Sequence, residues 1–265
     1  MLRTLVHFPS TLSRAVTFSL SAHSVHGILL DIEGTTTPIH FVYQVLFPFV
    51  RAHLKDYFRR NTGSEELPRD LSMLRDEHRD DMVNGLAPPK WVDAPLDAQI
   101  ESVARYVFWL MDLDRKSTGL KSLQGKVWQQ GYLTGELKGQ IFTDVLPALK
   151  QWANKNLDVR IFSSGSALAQ KLFFAHTEVG DLGSFLRGYF DTNMGSKTDP
   201  ESYRRIAAKF ERPASQLLFI SDVIAELDAA KRAGMQTLLC VRPGNLPHPE
   251  KHGHAVISSF GELVV

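Results

Sequence analysis

Two carboxylates stand directly after the first strongly apolar run of the chain. The run Gly27-Ile28-Leu29-Leu30 predicts a buried strand, and Asp31 follows it at once, with Glu33 two residues later. The carboxyl end of a central strand in an open α/β sheet is where such sheets bind ligands. An ionised Asp there can attack phosphorus, and a Mg²⁺ ion would bridge the carboxylate and the phosphate, which otherwise repel each other. This run therefore indicates phosphate chemistry.

A hydroxyl-rich turn follows a second apolar run. Ser163, Ser164 and Gly165 stand where a strand is expected to pass into a helix. Main-chain N–H groups and hydroxyls at such a junction can cradle a phosphate. The alternative is that one serine of this turn, Ser166 included, only caps the helix.

Two more charged residues precede predicted helices. Lys197 could reach a transferring phosphoryl group as a point charge, or it could be a solvated surface lysine. Asp222 ends another apolar run and is either a second Mg²⁺ ligand or the N-cap of the next helix. Glu226 and Asp228 follow closely and either support the metal or face solvent.

The elements that would position these residues alternate along the chain. Nearly continuous apolar runs predict strands at 27–31, 159–163, 217–222 and 237–241, with a weaker one at 189–192. Helical patterns occupy 145–154, 167–176, 200–210 and 224–233. Continuous apolar strands alternating with helices are typical of a Rossmann-like parallel sheet, so the predicted fold class is α/β.

The interval from residue 31 to residue 163 is 163 − 31 = 132 residues long, far beyond a normal crossover. It contains helical patterns at 41–60, 68–82, 96–113 and 124–132 and no strand pattern. Pro48 must kink or restart the first helix, and Pro68 suits a first helical position. We predict an all-helical cap domain, residues 40–135, inserted after strand 1 of a core formed by 25–39 and 136–265. Residues 1–24 are predicted to be a disordered N-terminal extension.

The composition narrows the class of protein. The 265 residues include 30 basic and 29 acidic side chains, which argues against a nucleic-acid or membrane-surface binder. No apolar run approaches the roughly 20 residues that span a bilayer. The one cysteine, Cys240, lies in an apolar run and is expected to be a buried small hydrophobe. We expect a monomer in the cytoplasm, or also in the nucleus of a eukaryote; residues 1–24 resemble a weak transit peptide, the less favoured interpretation.

The four chemical sites stand in the order and context of the four motifs of the haloacid dehalogenase superfamily, which the chain resembles. In that superfamily the second acid is usually Asp, whereas here it is Glu33 in Asp-Ile-Glu-Gly-Thr-Thr. With the cap segment Asp-Arg-Lys-Ser-Thr at 114–118 and the segments 41–48 and 241–245, this resembles the enolase-phosphatase family of methionine salvage. The resemblance runs from about residue 28 to the C-terminus.

This resemblance implies a two-step activity. The substrate 2,3-diketo-5-methylthiopentyl-1-phosphate would be enolised to 2-hydroxy-3-keto-5-methylthiopentenyl-1-phosphate. Dephosphorylation would then give the acireductone 1,2-dihydroxy-3-keto-5-methylthiopentene. The expected partner is thus a small phosphate ester, with neither nucleic acid nor membrane involved.

The resemblance also implies roles for the core residues. Asp31 would be the phosphorylated nucleophile, and Glu33 would transfer protons. One Mg²⁺ per subunit would be held by Asp31, Asp222 and the backbone carbonyl of Glu33. The phosphate would be bound by Ser163, Ser164, Gly165 and Lys197, with Lys197 also counted as catalytic.

Cap residues allow two interpretations each. Lys116 and Lys121 could face the dicarbonyl of the substrate or be solvated. Trp128 and Tyr132 could wall the methylthio tail or belong to the helix core, and the core is the better-founded expectation.

Other functions would require a different set of residues. Another Mg²⁺-dependent phosphomonoesterase of the superfamily would share the core residues and differ only in the cap. A dehalogenase needs no metal, so the pair Asp31 and Asp222 would lack a purpose, and a binding module would not require both acids. The spacing of His248, His252 and His254 could suit a metal, but two prolines and a glycine make this a loop without fixed geometry.

Overall fold

The computed structural model describes residues 17–115, 117–249 and 251–265. Across these residues the strands are β1 (Phe18–Ser19), β2 (Gly27–Leu30), β3 (Asp158–Phe162), β4 (Gly188–Phe190), β5 (Leu217–Ser221), β6 (Gln236–Cys240), β7 (Ala255–Ile257) and β8 (Leu263–Val264). Six of them form one sheet in the order β4-β3-β2-β5-β6-β7, and all neighbours in it are parallel. The predicted α/β fold with a parallel sheet is confirmed.

Strand β2 lies inside the sheet because it is apolar on both faces. Ile28 and Leu30 belong to one hydrophobic cluster, and Leu29 belongs to another. Successive side chains of a strand point to opposite faces, so these clusters lie on the two sides of the sheet. Helices cover both sides, which explains why the run shows no polar alternation.

A helical insertion follows β2. It consists of a π-helical turn (Val42–Leu46) and helices α1 (Phe47–Arg60), α2 (Glu66–Val83), α3 (Leu96–Asp112) and α4 (Thr118–Thr134). These helices have their own hydrophobic cluster, and they form the predicted cap. Pro48 lies in the first turn of α1, so the helix restarts there. Pro68 is the third residue of α2 rather than the first, because the helix begins at Glu66.

The remaining helices connect the parallel strands. They are α5 (Val145–Asn154), α6 (Ala167–Ala175), α7 (Pro200–Phe210) and α8 (Ile224–Arg232), and their bounds agree with the predicted ones to within one residue. Ser166 caps α6 by accepting a hydrogen bond from the Ala169 N–H. Asp199 caps α7 by accepting from the Glu201 N–H. Such caps fix where each helix begins and therefore where the preceding loop ends.

The chain passes between core and cap twice, and both crossings pack into the core. The same core cluster contains residues of both crossings. Phe41 and Leu46 belong to the outgoing crossing, from core to cap, and Tyr132 and Leu137 belong to the returning one. The indole N–H of Trp128 donates to the Leu46 carbonyl at 3.0 Å and so ties α4 to the outgoing crossing.

Part of the predicted N-terminal extension belongs to the core. Strand β1 pairs in parallel with β8, and Leu20 is buried in the core cluster. The prediction of disorder up to residue 24 is therefore wrong for residues 18–20, and residues 1–16 lie outside the described part of the chain. Both strands are two residues long, which is too short for a sequence pattern to reveal.

Candidate active site

The predicted site residues come together because they follow adjacent strands. Asp31 follows β2, Ser163 follows β3, and Asp222 follows β5, and the sheet order places β2 between the other two. In a parallel sheet the carboxyl ends of all strands lie at one edge. Lys197 reaches the same edge from the segment between β4 and α7.

The Asp31 carboxylate is buried and held on both oxygens. Its Oδ1 accepts from its neighbour's main chain, the Ile32 N–H, at 2.8 Å and lies 2.6 Å from the Lys197 Nζ. Its Oδ2 accepts from the Ser221 hydroxyl at 3.1 Å. With only 2% of its surface exposed, the side chain has little freedom to turn. A carboxylate fixed in this way would need no reorganisation before it attacked an electrophile.

Lys197 is a buried cation between two acids rather than a solvated lysine. Its Nζ lies 2.6 Å from Asp31 and 2.7 Å from the Glu226 Oε2, and the residue is 8% exposed. Burial alone would lower the pKa of Lys197, but the carboxylates of Asp31 and Glu226 outweigh it and raise that pKa, so the ammonium stays charged. The Tyr203 hydroxyl donates to the Lys197 carbonyl at 2.7 Å and fixes the main chain there.

Glu33 faces the hydroxyl-rich turn. The Ser163 hydroxyl donates to the Glu33 Oε2 at 3.4 Å and accepts from the Gly165 N–H at 3.2 Å. Burial, and secondarily the negative charge of Asp31, raises the pKa of Glu33. A carboxyl group that holds a proton more readily is suited to general acid–base work. Ser164 and Gly165 line the cleft in front of Glu33.

Asp222 packs against the loop that carries Asp31. A Cβ placed on Gly34 would stand 2.3 Å from the Asp222 Oδ2, so only glycine allows this approach. Burial, and then repulsion from Asp31, raises the pKa of Asp222 to about 7. The N-cap of α8 is Val223, and its side chain makes no capping hydrogen bond, so the alternative interpretation of Asp222 as a helix cap is wrong.

The donor set fits a Mg²⁺ ion. Asp31 and Asp222 are buried carboxylates that repel each other, and a hard cation between them would remove that repulsion. Within the described ranges, no group of three or more His, Cys, Asp or Glu side chains could hold a metal. A site here would therefore rely on two carboxylates, a main-chain carbonyl and waters, as Mg²⁺ accepts.

The cap closes over the site and leaves a cleft of about 260 Å³. Glu33, Ser164 and Gly165 line it from the core, whereas Arg115, Lys121 and Trp128 are among the residues that line it from the cap. Lys116, predicted to bind substrate, lies outside the described residues.

Arg115 belongs to the cap segment 114–118 that carries part of the family resemblance, but the sequence analysis predicted no role for it. Its guanidinium donates to the buried carboxylate of Asp81 at 2.8 Å and lies 3.3 Å from Glu77. Asp81 also accepts from the Tyr106 hydroxyl at 2.7 Å. These contacts fix a positive charge at the cleft. They join α2, α3 and the α3–α4 loop, so no local sequence pattern could have shown them.

Two side chains from the segment after β6 support the loop that follows Asp31. The Arg242 Nε donates to the Thr35 carbonyl at 3.1 Å, and its Nη1 pairs with Asp144 at 2.9 Å. The Asn245 amide donates to the Gly34 carbonyl at 3.0 Å. Residues 241–245 carry part of the family resemblance, and their contacts give that segment a physical role.

The histidine-rich loop is built differently from a metal site. His254 is buried, lies 2.8 Å from the Thr237 hydroxyl and is paired with Asp228 at 3.1 Å. Asp228 thus interacts with this histidine, away from Asp31. Of the helices in the described residues, none has the length and apolar character to cross a membrane.

Comparisons with known proteins identify the family to which the chain belongs. Residues 25–234 match the haloacid dehalogenase-like hydrolase family. The chain is 48% identical to an enolase-phosphatase E1 of Synechococcus elongatus over 91% of this chain and 98% of the relative. It is 42% identical to the enolase-phosphatase E1 of Pseudomonas aeruginosa over 91% and 99%. The crystal structure of the UTR4 protein from Saccharomyces cerevisiae superposes with a TM-score of 0.70 at 33% identity, covering 89% of this chain and 98% of that one.

The fold and the site thus define a haloacid dehalogenase-like hydrolase with a helical cap. Within that class, the chain belongs to the enolase-phosphatase family. The predicted family and the predicted class of enzyme, a phosphatase, are confirmed.

Proposed function

We propose that this enzyme converts 2,3-diketo-5-methylthiopentyl-1-phosphate into the acireductone 1,2-dihydroxy-3-keto-5-methylthiopentene and phosphate, as the resemblance implies. The observation that carries the proposal is that Glu33, which lines the cleft under the cap, stands two residues after the buried, lysine-paired Asp31. One acid suits phosphoryl transfer, and the other suits proton transfer on the carbon chain.

Enolisation comes first and uses Glu33. Its carboxylate removes a proton from C1, next to the C2 carbonyl, and returns the proton to the C2 oxygen. Because the pKa of Glu33 is raised, it lies closer to the pKa of the C1–H group from which Glu33 takes the proton. This smaller difference in pKa favours the proton transfer.

Phosphoryl transfer follows. Glu33, left as a carboxylate by the enolisation, first takes a proton from solvent. Asp31 then attacks phosphorus, the bond between phosphorus and the C1 oxygen breaks, and the protonated Glu33 gives its proton to that oxygen. Water then attacks the aspartyl-phosphate, with Glu33 taking its proton, and phosphate leaves. Lys197, Ser163, Ser164 and the Gly165 N–H would hold the phosphoryl oxygens.

A bound Mg²⁺ would offset the charge of the phosphate and polarise its oxygens. Asp31, Asp222 and the backbone carbonyl of Glu33 are the proposed ligands, with one ion per subunit. The mutual repulsion of the two buried aspartates supports this assignment.

We extend the proposal to the domain limits. Residues 25–39 and 136–265 would form the core and residues 40–135 the cap, which is supported by the separate hydrophobic cluster of the cap helices. The cytoplasmic location and the monomeric state stay predictions from the sequence.

Turnover of the diketo ester tests the proposal. Acireductone absorbance and phosphate release are followed together, with and without Mg²⁺, and both should appear only with the metal. Asp31→Asn should abolish phosphate release while keeping the fold by circular dichroism. Hydrolysis of generic sugar phosphates without turnover of this ester would overturn the proposed substrate, and wild-type release by Asp31→Asn would overturn the nucleophile.

A further inference from the structure

The side chain of Gln170, on α6, reaches both ends of the hydroxyl-rich turn at residues 163–165. Its Nε2 donates to the Gly165 carbonyl at 2.7 Å and to the Phe190 carbonyl at 2.8 Å. The Phe190 carbonyl also accepts from the Ser163 N–H at 3.1 Å. One amide group therefore holds the end of the turn directly and its beginning through Phe190.

The hydrogen bonds within the turn and from it to Glu33 are longer. The Ser163 hydroxyl accepts from the Gly165 N–H at 3.2 Å and donates to the Glu33 Oε2 at 3.4 Å. Both bonds use groups that are proposed to bind the phosphate, so a bound phosphate would compete for them. The bonds from Gln170 use only carbonyl oxygens, which accept and cannot donate to an anion. Gln170 is thus placed to hold the turn both before and after the phosphate binds.

The surroundings of the Gln170 amide show which of its groups the position uses. The residue is only 2% exposed, and its Oε1 has no hydrogen-bond partner among the described residues. A buried acceptor without a partner lowers stability, so packing alone would favour an apolar side chain of similar size. The reversed amide would set Oε1 against two carbonyl oxygens, which identifies Nε2 as the atom that faces them. The position therefore uses the two N–H donors.

We propose that Gln170 is a positioning residue for phosphate binding, an inference that rests on the proposed function. By fixing the carbonyls of Gly165 and Phe190, it would aim the Ser163 and Ser164 hydroxyls and the Gly165 N–H at the phosphoryl oxygens. Donors that are already aimed need no reorganisation when charge develops on the phosphoryl group. Gln170 itself would not touch the substrate, because its amide N–H groups point to main-chain carbonyls.

Gln170→Met removes the two donors and keeps the length of the side chain. Gln236→Met is the matched control, since the Gln236 Nε2 also donates to two main-chain carbonyls, those of Ser215 at 2.7 Å and His23 at 2.8 Å. Gln236 is the first residue of β6, so it lies at the edge of the sheet opposite the site. The same change, with the same kind of bonds lost, is thus made next to the turn and far from it.

Three measurements report on the turn: inhibition by inorganic phosphate, kcat/KM for the diketo ester, and the Mg²⁺ concentration for half-maximal rate. A catalytic group that is misplaced by about 1 Å costs about 100-fold, and a loosened turn that keeps its donors should cost less. Gln170→Met should therefore raise the inhibition constant of phosphate about tenfold and lower kcat/KM by about 10- to 100-fold. The Mg²⁺ demand should stay within about twofold, because no proposed metal ligand is changed. Gln236→Met should leave all three within about twofold of wild type.

A double-mutant cycle with Ser163→Ala separates positioning from a general loss of structure. Ser163→Ala alone removes a proposed phosphate donor and should cost about 100-fold in kcat/KM. If Gln170 acts by aiming that hydroxyl, the combined loss should be at least about threefold smaller than the product of the two single losses. Independent structural effects would multiply instead.

Gln170→Asn is the second variant, in case Gln170→Met does not fold. It keeps the amide but withdraws it by one C–C bond, about 1.5 Å, so it should weaken phosphate inhibition in the same direction. Phosphate inhibition within about twofold of wild type in the folded variant, or losses that multiply in the cycle, would overturn the positioning role and leave the proposed function standing. No turnover of the diketo ester by the wild type would overturn the proposed function, and the positioning role with it.

Discussion

Replacement of Gly34 by alanine should damage the metal site selectively. Gly34 has φ +74°, and an added Cβ would stand 2.3 Å from the Asp222 Oδ2 and 2.6 Å from its Cγ. Contacts of Cβ atoms under 3.0 Å are essentially not seen, so the carboxylate oxygen must retreat by at least 3.0 − 2.3 = 0.7 Å. Magnesium requires oxygen ligands near 2.0–2.1 Å in almost regular octahedral geometry, so about 0.7 Å is enough to break that bond.

The size of the effect follows from these displacements. A misplacement of about 1 Å in a catalytic group lowers the rate by about 100-fold. We therefore expect Gly34→Ala to lose about 100-fold in kcat/KM and to need a much higher Mg²⁺ concentration. The positive φ adds a loss of about 1 kcal/mol in the free energy of unfolding.

Gly85→Ala is the matched control. Gly85 has φ +75°, and a Cβ there would meet nothing within 4 Å. Both variants should lose about 1 kcal/mol to the positive φ in urea denaturation, and Gly34→Ala should lose more because of its clash with Asp222. Only Gly34→Ala should alter phosphate release across a Mg²⁺ titration. Activity of folded Gly34→Ala within threefold of wild type, at unchanged Mg²⁺ demand, would refute the assignment of Asp222 as a ligand.

Three further predictions concern the cap, Lys197 and the cysteine. Asp81→Ala should lower the free energy of unfolding by about 3 kcal/mol, because it leaves the buried Tyr106 hydroxyl and the partly buried Arg115 guanidinium without their shared acceptor. Asp112→Ala, which removes an exposed ion pair, should change it by less than about 1 kcal/mol; equal losses in urea denaturation would contradict this. Lys197→Met should reduce phosphate release by at least about 100-fold, whereas the exposed Lys209→Met should not, and a single-turnover assay distinguishes them. Burial raises the pKa of Cys240 to about 12, so a thiol reagent should label it only after unfolding, and fast labelling of the native enzyme would disprove its inertness.

The strands of the parallel core were predictable because a strand that is buried on both faces appears in the sequence as a continuous apolar run. Strands β2, β3, β5 and β6 each lie within one residue of a predicted strand. The short edge strand β7 was missed, since two of its three residues are exposed and it has no apolar run. In β4, all three residues are half-buried, so the pattern was weak and its end was misplaced by two residues.

The same distinction holds for the candidate site. Asp31 and Asp222 were visible because each directly follows an apolar strand. Two other contacts join segments that are about 200 residues apart in the sequence. They are the close approach of Gly34 to Asp222 and the hydrogen bond from Arg242 to the Thr35 carbonyl. Such contacts depend on how strands and loops pack in three dimensions, and one sequence contains no signal for them.

The packing of the two crossings has a consequence for how the enzyme opens. One hydrophobic cluster contains residues of both crossings, namely Phe41, Leu46, Tyr132 and Leu137. The hydrogen bond from Trp128 to Leu46 connects α4 to the outgoing crossing. The two chain segments that connect the core to the cap lie side by side. We therefore expect them to act as a hinge, about which the cap rotates on a single axis. Each opening must also separate the walls of a cavity of about 80 Å³ beside Glu33, since Trp128 lines it from the cap and Phe173 lines it from the core. Release of the product and loss of that cavity would then be one and the same motion.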